Sequence, residues 1–349
     1  KITMNLDNNN IEAWFLQRKE SEFPDGHDYV AKYRTIRDYI RLYIHPEIKA
    51  IVKEYLPDSL LNDHGERHIA KVIDRATDLL KDNSVELSPY ETFFLLLSIQ
   101  IHDAGHIING RKEHEKNARK IISKFDNTLI STPERKYISA IACAHSGKNN
   151  PIGNLHGEDI VYIFSTNVRI KLIASILRLA DELADDFTRT SVFLREKELI
   201  MEESQIFHEF SACLDSCKAL TKSKEIKMIF YLESKHISNP LKKNGVDIFL
   251  IDEIYERTLK TFTECLYCNR FLPESARINM VSVEINFCDK DGEDFFRKVS
   301  YRIEEQDYPI FPKEFNIFSF CEKDLIDDGN KMTGKYLSEK LTIFNMTKV

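Results

Sequence analysis

Residues 93–107, FFLLLSIQIHDAGHI, decide how this chain is read. The apolar part, 93–101, is about half of the roughly 20 residues that span a bilayer, so it reads as a buried helix and not as an anchor. Ser88-Pro89 marks its start and Gly105 its stop. The helix runs straight into His102 and Asp103. A carboxylate buried beside an imidazole costs several kcal/mol unless something pairs with it, and a divalent cation satisfies both groups at once.

Other imidazoles and acids stand in similar places along the chain. The stretch 59-SLLNDHGERHIAKVID-74 sets His64 and His68 four apart, on one face of a helix. Asp63 as N-cap with Glu66 at N3 predicts a capping box opening a helix that runs through Lys81. Gly65 after His64 excludes the HExxH metalloprotease pattern, which needs a glutamate there. His114 follows in 112-KEHEKNARKII-122, His145 in 138-ISAIACAHSG-147 and Asp181 in 176-ILRLADELADD-186. His145 and Asp181 sit at polar ends or flanks of apolar faces, where Leu or Ala is the default. Periodicity predicts further helices over 112–125, 133–145 and 166–187, with a loop at 149–154.

Composition bounds the alternatives. Lys+Arg of 49 against Asp+Glu of 56 gives 49 − 56 = −7 over 349 residues, with the signs mixed along the chain. That argues against a broad nucleic-acid or anionic-membrane surface, although a local cationic pocket stays open. Seven scattered cysteines make no disulfide framework and point to a reducing, cytoplasmic setting. The opening KITMNLDNNN has no apolar core or cleavage site of a secretory signal. The pair 265-CLYC-268 has redox or zinc spacing, but it lies in a helical pattern and reads as buried thiols.

The fold class expected is α+β, in three segments: lead-in helices over 1–58, an all-helical bundle over 59–220, and a small α+β domain over 221–349. Strand-like alternation appears at 225–234, 279–287 and 296–304, flanking a helical pattern near 250–270. That order could form a ferredoxin-like unit, and such modules bind ligands, dimerise or both, which leaves a homo-oligomer open. His156, His208 and His236 have no motif around them and read as surface or core.

The ordered set His68, His102-Asp103, His114, His145 and Asp181 resembles the HD superfamily of metal-dependent phosphohydrolases, and within it the HD-CE subfamily. HIAKV at 68–72 is similar to the family's first-histidine helix, IHDAGH at 101–106 to its central motif, and LRLADEL at 177–183 to its closing aspartate helix. The likeness covers roughly residues 60–195. It implies six metal ligands, His68, His102, Asp103, His114, His145 and Asp181, and a helical bundle around them. HDAGH also continues the HDxGH of dNTP triphosphohydrolases, whereas 107-IINGRKEH-114 lacks the Pro-Phe and closely following His of that group.

Mixed imidazole and carboxylate ligation suits Fe, Mn, Zn or Co better than Mg. With Asp103 bridging, two ions would polarise a water for in-line attack on phosphorus, so Asp103 is the first catalytic candidate. His64 is either substrate-facing or a support for the helix start. His106 either protonates a leaving oxygen or binds phosphate, or else caps the helix beside Gly105. Arg67, Lys148, Arg178 and Arg189 are the cations available for phosphate, or else surface ion-pair partners. The expected partner is a small phosphorylated substrate, in the first place a nucleotide. The alternatives are triphosphate release from a dNTP, or a sensor that binds a nucleotide without turnover.

Overall fold

The computed structural model describes residues 4–6, 9–47, 65–105, 114–155, 159–184, 202–243, 245–305 and 314–347. Two units divide the chain: Lys1–Pro57, Asp63–Ala184 and Tyr267–Arg277 in the first, and Asp58–Asn62, Asp185–Leu266 and Ile278–Val349 in the second. The chain is α+β. The unit boundaries fall elsewhere than the expected 58 and 220. The lead-in helices belong with the bundle, as do Tyr267–Arg277, while the rest of the chain from 185 onward belongs with the strands.

The first unit is built on a helix without a polar face. Ser88 caps it by accepting from Glu91 N–H, Glu91 reaches back to Ser88 N–H, and Pro89 takes the first turn. Every residue of this helix, Pro89–Ile101, is buried, as expected for a central helix packed on all sides. Around it lie α1 (Ile11–Phe15), α2 (Tyr29–Tyr39), α3 (Glu66–Leu80), α5 (His114–Ile122), α6 (Thr132–Cys143) and α7 (Ile170–Glu182), the central helix being α4. Phe15, Tyr29 and Tyr33 pack with Tyr90 and Phe93, mostly edge to face, joining the lead-in helices to α4. Buried Glu134, in the capping box of α6, accepts from Tyr29 and Tyr90 hydroxyls at 2.7 and 2.9 Å.

Two expectations shift. Gly65, not Asp63, is the N-cap of α3, which places Glu66 at its first position and so forms no capping box there; Asp63 itself lies outside the described residues. The predicted helix 166–187 begins later, because 166–168 pair with 161–163 in a short hairpin, β1 (Val161–Ile163) and β2 (Thr166–Val168). Its turn, Phe164-Ser165, has both φ angles positive, as a two-residue type I′ hairpin requires. Arg169 after the hairpin holds Glu91 through two 2.7 Å bonds, so α7 and α4 start side by side and run parallel.

In the second unit α8 (Glu202–Cys213) leads into β3 (Leu214–Leu220) and β4 (Glu225–Leu232). After the short α9 (Lys235–Ser238) and the hairpin β5 (Leu241–Lys243) and β6 (Val246–Ile248), α10 (Leu250–Asn269) crosses over to β7 (Met280–Cys288) and β8 (Asp294–Glu304). The sheet order is β3-β4-β7-β8, with β4 and β7 parallel and the outer pairs antiparallel. This corrects the ferredoxin-like expectation: hairpin, crossover helix, hairpin keeps the strands in chain order. Ile226, Met228, Phe230 and Leu232 alternate inward with Val281, Val283, Ile285 and Phe287, and Thr258 of α10 meets the Tyr301 hydroxyl at 3.0 Å. None of the seven cysteines forms a disulfide, and Cys265 and Cys268 are fully buried on α10. No helix among the described residues is long and apolar enough to cross a membrane.

Candidate metal centre

Three helices of the first unit end at one place. His102 is the C-cap of α4, His145 follows the end of α6 by two residues, and Asp181 is the penultimate residue of α7. His68, in the first turn of α3, faces them. The sequence folds this way because each apolar helix face stops one turn before its polar residue.

The donor atoms converge. His68 Nε2 lies 3.3 Å from His102 Nε2, 3.1 Å from Asp181 Oδ1 and 3.6 Å from Asp103 Oδ2. His102 Nε2 is 3.4 Å from Asp103 Oδ2 and 3.5 Å from Asp181 Oδ1. The other Asp103 oxygen turns away, so that Oδ1 lies 3.6 Å from His145 Nε2. Asp103 thus faces two histidines with one oxygen and a third with the other. His68, His102, Asp103 and His145 are buried, while the Asp181 side chain keeps 25% of its surface open to solvent.

The rings are oriented from behind. His102 Nδ1–H donates to the Ile99 carbonyl at 2.8 Å and His145 Nδ1–H to the Ala142 carbonyl at 2.6 Å. A backbone carbonyl on one ring nitrogen fixes the tautomer and leaves the other with its lone pair turned inward, the arrangement of metal-ligating histidines. The spacing fits as well: two atoms each about 2.1 Å from a shared ion lie about 3.0–3.4 Å apart at octahedral or tetrahedral angles. Protons also couple the members of this group. Burial alone would lower the His102 pKa, but Asp103 and then Asp181 hold it well above the usual histidine value. Asp181 is pushed up by burial, yet His102 and His68 keep it well below the carboxylate range. A cation binds such a cluster by displacing those protons.

The remaining sequence candidates separate. His64, His106 and Arg189 lie outside the described residues. His114 begins α5, but its side chain is outside them too. Arg67 and Lys148 are exposed to solvent. Arg178 is buried and points elsewhere than into open space: it donates to the Ala144 and Gly147 carbonyls at 3.4 and 3.0 Å and lies 5.1 Å over the Tyr267 ring. These bonds brace the turn that carries His145.

One residue escaped the sequence reading. His45, 4% exposed, closes a π-turn over Ile40–Ile44 that extends α2. Its ring hydrogen bonds the Gln100 backbone carbonyl, and burial, with the charge of His102, pushes its pKa down to about 4. The signal was present in apolar Ile40 and Ile44 four apart, followed directly by a histidine. A second group of metal-capable side chains, Glu209, Cys213 and His236, lies in the other unit. There the Glu233 backbone N–H donates to His236 Nδ1 at 2.9 Å, leaving the ring proton on the nitrogen that faces Glu209 at 3.2 Å.

A family model described as HD-CE matches residues 52–260, more than half of the chain. No curated protein matches it.

Proposed function

Because the chain belongs to the HD-CE family, we propose that it is a metal-dependent phosphohydrolase, acting on a phosphate ester or anhydride of a nucleotide or another small phosphorylated molecule. The observation that carries this reading is the convergence of His68, His102, Asp103 and Asp181 within 3.1 to 3.6 Å, with His145 across Asp103. His68, His102, Asp103 and Asp181, with His145 and the candidate His114, are the residues that would hold the divalent cations. Bound cations of the Fe, Mn, Zn or Co class supply Lewis acidity and a water of lowered pKa.

The residues around the cations then divide the work. The carbonyls of Ile99 and Ala142 keep the His102 and His145 rings from rotating, so their inward nitrogens stay fixed while substrate charge changes. Arg178 keeps the turn after α6 in place. Asp181, the partly exposed member of the cluster, marks its open side. Arg67 and Lys148 are the exposed cations nearest in sequence to cluster residues and are the candidates for meeting phosphate oxygens there.

Metal analysis of the full chain purified without added metal, followed by a nucleotide and phosphomonoester screen with Mn, tests the reading. About two ions per chain are expected, with inorganic phosphate as product; tripolyphosphate would reassign the activity to dNTP triphosphate release. Asp103→Ala is expected to abolish turnover by at least about 10³-fold while the fold persists by circular dichroism. A metal-loaded, folded wild type inert to the whole screen would leave a nucleotide-binding protein without turnover.

A further inference from the structure

The last carbonyls of a helix have no partner within it and are met by whatever lies nearby. At the metal centre two of them are met in the same way. Leu183, the C-cap of α7 and two residues after Asp181, accepts from Arg75 Nε at 3.0 Å. Ala144, the C-cap of α6 and the residue before His145, accepts from Arg178. Both arginines are buried, Arg75 at 8% and Arg178 at 7% exposure.

Each arginine comes from a different helix that bears a ligand. Arg75 is seven residues after His68 on α3, so the two share a face, and long helical side chains lean back toward the N-terminus of their own helix. The end of α7 is therefore met twice by α3: His68 Nε2 lies 3.1 Å from Asp181 Oδ1, and Arg75 holds the backbone two residues further on. Asp78 pairs with the same guanidinium at 3.3 Å and fixes it to its own helix. Arg178 carries the link onward from α7 to the turn of His145. A helix end does not need a charged group to cap it. Burying a guanidinium costs solvation that its hydrogen bonds only partly return, and apolar residues often replace such groups without loss of stability. What the rigid, planar fork adds is a fixed distance between the two helices it joins.

We propose that Arg75 is a positioning residue for the cation centre: by holding the Leu183 carbonyl it sets the end of α7 against α3, so that His68 and Asp181 stand one ion apart before the ion arrives. The proposal rests on the metal centre described above but not on the reaction proposed for it. Ligands already held in place lose less freedom when the ion binds. Ion affinity, and not stability alone, then depends on Arg75.

The test is calorimetric titration of the chelator-treated full chain with Mn2+, comparing wild type, Arg75→Met and Thr77→Val. Thr77 is the control: it also lies on α3, but its hydroxyl accepts from the Ile11 N–H at 3.0 Å and so ties α3 to α1. Arg75→Met is expected to weaken Mn2+ binding by about 10- to 100-fold, the range for groups that orient metal ligands. Thr77→Val is expected to lower the melting temperature and leave the affinity unchanged. Wild-type affinity in Arg75→Met, at whatever melting temperature, would reduce Arg75 to a helix cap and overturn the proposal. An equal loss in Thr77→Val would overturn it too, because affinity would then simply follow stability. Should Arg75→Met fail to fold, the Arg75 Nε–H proton of the wild type decides. Slow exchange with solvent in the metal-free chain is expected, whereas protection gained only on adding Mn2+ would make the contact a consequence of the ion and overturn the proposal. A wild type that binds no divalent ion overturns both this proposal and the proposed function. One that binds ions as expected, loses them in Arg75→Met and turns over no substrate removes the hydrolase alone.

Discussion

Asp103 and Arg178 illustrate how differently two residues of one site can be read from sequence. The carboxylate was legible because an acid beside an imidazole at the end of an apolar helix has few inexpensive explanations. The arginine was not: its spacing of three from Asp181 says that both lie near one face, but not that the guanidinium turns to the Ala144 and Gly147 carbonyls and Tyr267. Arg178→Ala is expected to destabilise the chain by about 2–3 kcal/mol in urea unfolding, the range for hydrogen bonds made by a charged group. Arg178→Lys should recover only part, because an ammonium cannot span two carbonyls as the fork does. A substrate clamp would instead show as a raised KM with stability unchanged.

Of the explicit start signals, Ser88-Pro89 was read well and Asp63 with Glu66 was not. Ser88-Pro89 with Glu91, and Ser131 with Pro133 and Glu134, both form the boxes their spacing allows, and Ser131→Ala is expected to cost about 1 kcal/mol in thermal or denaturant melts. Elements without such signals were misread. β1 and β2 have three residues each and turn on Phe164-Ser165 without a glycine, and β3, LDSCKAL, lacks the β-branched residues that mark strands. The contact between lead-in helices and core makes a pH prediction. Tyr29 and Tyr90 are held well above the ordinary tyrosine value, by burial first and by Glu134 next. For groups raised in the folded state, the stability they contribute is complete below about pH 10 and is lost as pH climbs further. Tyrosinate absorbance should therefore show a class that ionises only as the circular dichroism collapses; full ionisation near pH 10 with the fold intact would contradict it.

On the scale of the whole chain, the described ligands of the cluster all belong to the first unit. Phe230→Ala, in the fully buried face of the β3-β4-β7-β8 sheet, should cost about 3–5 kcal/mol in the second unit and leave the ions bound per folded chain unchanged; their loss would show that the cluster depends on more than its own unit. The helical bundle was legible because the motif-bearing helices each carry their own apolar run or period, whereas the sheet order depends on pairings between residues more than fifty positions apart. The convergence of α4, α6 and α7 by their C-terminal ends has an effect that no side chain supplies. Each terminus contributes the equivalent of about half a negative charge from its aligned peptide dipoles, so the backbone itself makes an electronegative well where the three meet. That well draws cations in and turns phosphate away, so an empty centre should repel the very anion it is built to process: stripping the metal should abolish nucleotide binding, measured by equilibrium dialysis, and not turnover alone.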